Sequence, residues 1–96
     1  MRLRTDLETL ATLDATTIEA VCTEPSLVAH LITECLEEAI ELDDLADQAH
    51  DQAQDELAWF YRQEAAAWRA TVRVLRAAHD TSLPRPQATS VGRGVA

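Results

Sequence analysis

The residues best suited to chemistry in this sequence are carboxylates and imidazoles gathered on one stretch of chain. His30, Glu34, Glu37 and Glu41 recur at spacings of three and four. At 100° per residue they fall within about 60° of one another on a helix. Carboxylate-bridged metal sites in helical bundles use inward Glu residues of this kind, together with Glu-x-x-His pairs from facing helices. The sequence has no Glu-x-x-His; Asp47-x-x-His50 has the spacing with the shorter acid, and no second such pair exists. The four residues are therefore weak metal candidates, and the expectation is a solvated acidic face with no cofactor. Asp47, His50, Asp51 and Gln54 form a second oxygen-rich group. Tight sites for hard cations take backbone carbonyls from loops, so this group too reads as a solvated face. Arg73 and His79 could act on a phosphodiester, but cations near a helix C-terminus are what the helix dipole favours. No nucleophile elbow, phosphate loop, dinucleotide fingerprint or HExxH is present. Gly92-Arg-Gly94 precedes no helical pattern, so it cannot cradle a phosphate. The expectation is a protein without catalytic residues, not an enzyme.

The elements that would carry these residues are helices, and the fold class expected is all-α: a small helical bundle or long helical hairpin. The chain of 96 residues has two glycines and three prolines, and only Pro25 precedes residue 84. Thr5 with Glu8 and Thr16 with Glu19 fit capping boxes, predicting two short helices at about 5–13 and 15–22. Thr23-Glu24-Pro25-Ser26 marks a boundary, with proline suited to a helix's first turn. From there the region 24–80 reads as one continuous or kinked helix, with a hairpin near 43–52 as the alternative. A seam of Val28, Leu31, Cys35, Leu42, Ala46, Ala49, Ala53, Leu57 and Phe60 holds its phase and favours continuity. The last helix carries a broad apolar face of Leu57, Phe60, Tyr61, Trp68, Val72 and Leu75. Trp59, Ala66, Ala70 and Ala77 form a second strip beside it. Residues 1–80 read as one domain and 81–96, rich in Ser, Pro and Gly, as a disordered tail.

Charge is divided along the chain. Fifteen of the seventeen acids lie in residues 1–58, and six of the eight basic residues, all arginine, lie in 59–96. The formal net charge of −9 argues against direct nucleic-acid binding, which needs cations for the phosphates. Cys22 and Cys35 form no CxxC, and Cys35 falls on the seam as a buried, reduced thiol. Met1-Arg-Leu-Arg runs at once into Asp6 and Glu8, unlike a secretory leader. No apolar run approaches the ~20 residues of a membrane span. A cytoplasmic protein is expected.

These readings point to a small acidic protein–protein interaction module, self-associating as a homo-oligomer or regulating a helical partner. Ala46, Ala49 and Ala53 would admit a close helix, and Leu57, Phe60, Trp68 and Leu75 would anchor it. Arg62, Arg69 and Arg73 would set its orientation against the acids of residues 34–55. Two alternatives remain: an acidic mimic of nucleic acid that blocks a basic site, and a carboxylate/His metal-binding bundle.

Overall fold

The computed structural model of the protein describes residues 2–82, with side chains from 3 to 80. All its regular elements are helical: α1 (Arg2–Leu10), α2 (Ala15–Thr23), a 3₁₀ turn (Pro25–Leu27), α3 (Val28–Asp51) and α4 (Asp55–Ser82). The expected all-α bundle with two short N-terminal helices is what is found. α4 runs through Ser82, past the residue at which the tail was expected to begin, and residues 83–96 lie outside the described part.

The long region is a hairpin, which corrects the expectation of a continuous helix over 24–80. Asp51 ends α3, and the chain reverses through Gln52, Ala53 and Gln54. The Gln54 N–H donates to the Ala49 carbonyl at 2.8 Å, and the Ala53 N–H to that of His50 at 2.9 Å. These are the two bonds of a Schellman motif, which needs a left-handed residue between them. Ala53 takes that position, with φ of 61°. Alanine there costs more than glycine, so the turn carries no compositional mark. The seam therefore ends at Ala49, and Ala53 is an exposed turn residue rather than part of a close helix contact. Asp55 and Glu56 then sit in the first turn of α4, where the helix dipole favours negative charge.

The N-terminal boundaries shift for similar reasons. α1 already begins at Arg2, which places Thr5 inside the helix, where its carbonyl accepts the Thr9 hydroxyl at 2.9 Å. Leu7, fully buried, governs the phase of α1. At the second helix Asp14 is the N-cap, its carboxylate accepting the Thr17 N–H at 2.8 Å. Thr16 is thus inside the helix, and Glu19 is released from the expected capping box. It pairs instead with Arg4 of α1 at 2.7 Å and accepts the Thr23 hydroxyl at 3.1 Å. Pro25 opens a 3₁₀ turn before α3 rather than the long helix itself.

The main core lies at the open end of the hairpin. Leu7, Ile18 and Val21 from the short helices meet Val28, Leu31, Ile32 and Cys35 of α3 and Val72 and Leu75 of α4. Thr71, fully buried, keeps its hydroxyl bonded to the Ala67 carbonyl and to Thr12 in the α1–α2 connection. Towards the turn this cluster stops at Leu36 on α3 and Trp68 on α4. Beyond them α3 and α4 pack on each other through buried Ala39, Ala46, Ala49, Ala58 and Ala65. Small side chains let two backbones approach closely, and they leave little apolar area to bury.

Candidate protein-contact surface

The close helix that the alanine seam implied is α4 of the same chain. Ala46 is fully buried and Ala49 is nearly so. Two of the three arginines expected to orient a contact do so inside this hairpin. Arg62 reaches Asp47 at 3.5 Å, and Arg69 bonds Asp43. Arg73 is exposed and forms no ion pair among the described residues. Leu75 is wholly interior.

What remains outside is apolar. Leu45 and Leu57 each keep 40% of their surface exposed, Phe60 50%, Ile40 58% and Trp59 64%. In a chain with few aromatics, two of them stand in solvent within one turn of α4. The Phe60 ring meets that of Tyr61 at 5.9 Å with a 60° tilt, which stiffens the pair without burying it. Leu57, Tyr61 and Trp68 recur at spacings of four and seven, so they share one side of α4. Glu38, Glu41 and Leu45 share one side of α3 by the same rule. Trp68, Glu38 and Glu41 line a common groove, so both sets face the same side of the hairpin. Trp59 points roughly opposite Leu57, so the hairpin tip offers apolar surface on both flanks.

The groove lies where this side meets the α1–α2 connection. It is open, holds about 470 Å³, and has Leu13, Leu31, Cys35 and Trp68 among its lining. Asp14, Glu34, Glu37, Glu38 and Glu41 add five carboxylates. Three of the four weak metal candidates, Glu34, Glu37 and Glu41, are thus groove residues. His30, the fourth, contacts Glu34 at 3.3 Å. Among the described residues no three His, Cys, Asp or Glu groups converge as ligands of one ion. In the second acidic group, Asp47 is engaged by Arg62, and His50 faces Asp55 across the turn at 3.5 Å. Burial, with Glu34 and Glu38 nearby, pushes the Cys35 thiol up to about 11, so it is a packed apolar group rather than a nucleophile. The sequence reading missed the wall formed by Thr12, Leu13, Asp14 and Thr17. Only the chain's return over α3 and α4 brings them there, and no local pattern encodes that.

Fold and surface together define a class: a small helical domain with large apolar side chains exposed on its surface. Residues 1–82 match the family model of the TY-Chap C-terminal domain (Chap-C), and the chain belongs to that family. It is accordingly a chaperone-like helical module for interaction with other proteins. No curated protein and no solved structure matches it. Among the described residues, no helix is long and apolar enough to cross a membrane.

Proposed function

We propose that this chain is a non-catalytic, cytoplasmic contact module that holds a protein partner against the uncovered part of its α3–α4 hairpin. One observation carries the reading. Leu45, Leu57, Trp59 and Phe60 are at least 40% exposed on the part of the hairpin that the short helices leave bare. Several large apolar groups left exposed on one uncovered part of a fold mark an interaction site. The anchors differ in part from those expected of the sequence. Leu57, Phe60 and Trp68 remain candidates, whereas Ala46, Ala49 and Leu75 serve the hairpin and core. A second copy of the chain is an alternative partner for the same surface, and the acidic surface opposes direct nucleic-acid binding.

A photo-crosslinking phenylalanine analogue at position 60 tests this in the native host. Irradiation should join the chain to a protein of defined mass, or to a second copy, while the same analogue at exposed Thr33 gives no such product. Equal, diffuse labelling from both positions would refute a contact surface at the tip.

A further inference from the structure

We propose that the segment held on the hairpin is a basic amphipathic stretch of the partner polypeptide, about three helical turns long. This deepens the contact reading above and rests on it. Apolar contacts come from Leu45 and Trp68, which face one side of the hairpin and continue into the groove. The charge on that side is of one sign. Asp43 and Asp47 of α3 are engaged by Arg69 and Arg62, whereas Glu37, Glu38 and Glu41 form no ion pair among the described residues. Their carboxylates flank apolar surface, so the complementary occupant sets aliphatic side chains on the strip and Arg or Lys beside the glutamates. Its length follows from α3. Glu34 and Leu45 stand eleven positions apart, or about 16 Å of helix axis, which an occupying helix covers in about three turns. A nucleic acid would be repelled by the same glutamates, and a small cation would leave Trp68 and Leu45 uncovered.

The test is a titration of the isotope-labelled full chain with a synthetic fourteen-residue amphipathic peptide of Leu and Arg, followed by amide and indole resonances. A second peptide carries Glu in place of each Arg. The expected shifts concentrate on residues 34–45 and on the Trp68 indole, and the acidic peptide produces none. Glu37→Gln and Glu41→Gln, both at exposed positions, should each weaken binding by about two- to fivefold. Equal shifts with the acidic peptide, or shifts scattered over the acids of α1, would overturn the proposal. So would a dimer of the chain alone in light scattering with the same resonances perturbed, since the occupant would then be a second copy. If the basic peptide fails while position 60 still crosslinks to a protein, only the occupant's chemistry is wrong. If both fail, the contact reading falls with it.

Discussion

At the scale of single residues, Cys35 and Ala53 show how environment decides what a side chain does. Cys35 is 1% exposed, and burial holds its thiol protonated well above the ordinary value of 9.0, to about 11. The folded chain thus retains a proton that the unfolded chain releases above pH 9. The thiol's contribution to stability is complete below that pH and declines as pH rises from about 9 to about 11. Thermal unfolding across that range should show a loss that Cys35→Ala reduces. At neutral pH a thiol reagent should label half-buried Cys22 first and Cys35 only on unfolding. Ala53 holds φ at 61°, where a Cβ is unfavourable. Ala53→Gly should stabilise the fold by up to about 1 kcal/mol, the relief of the Cβ exceeding the added chain entropy. An unchanged or lower melting temperature would show that the turn pays no conformational penalty.

At the scale of elements, the helices themselves were legible because apolar spacing and the near absence of glycine and proline leave few other structures open. The hairpin turn was not, because its left-handed position is filled by alanine instead of glycine. Phase continuity across Ala49, Ala53 and Leu57 then mimicked a single helix, although the chain reverses between them. Capping was misread where two signals competed. Asp14, one residue before α2, satisfies the Thr17 N–H and leaves Glu19 to bind Arg4. The Arg4 guanidinium and the Thr23 hydroxyl hold the Glu19 carboxyl below its usual range, so this link weakens as pH falls through that lowered value. The alanine packing between α3 and α4 makes a further prediction. Ala49→Leu should overpack the hairpin and cost about 1–3 kcal/mol. Because the seam is internal to one chain, that loss should be the same at every protein concentration. A loss that grows on dilution would place the seam between subunits.

At the scale of the whole molecule, the sequence showed a charge division and a doubly apolar last helix, and both have structural counterparts. Arginines of α4 meet aspartates of α3, while the apolar excess of α4 is divided between the core and the exposed tip. Which large residues belong to which could not be read locally. Leu75 and Phe60 look alike in the pattern, yet one is fully buried and the other half exposed. The difference is that α1 and α2 cover only the open end of the hairpin. The central claim is that the bare tip serves contact and contributes little to folding. The most direct measurement combines Leu57→Glu with Phe60→Glu and records both melting temperature and photo-crosslinking from Trp59 replaced by the same analogue. The account predicts a helical protein that melts within a few degrees of the unsubstituted chain, since exposed substitutions typically change stability by about 0.5 kcal/mol or less. It also predicts that the crosslinked partner is lost. A variant that keeps its partner, or that unfolds at room temperature, would contradict it.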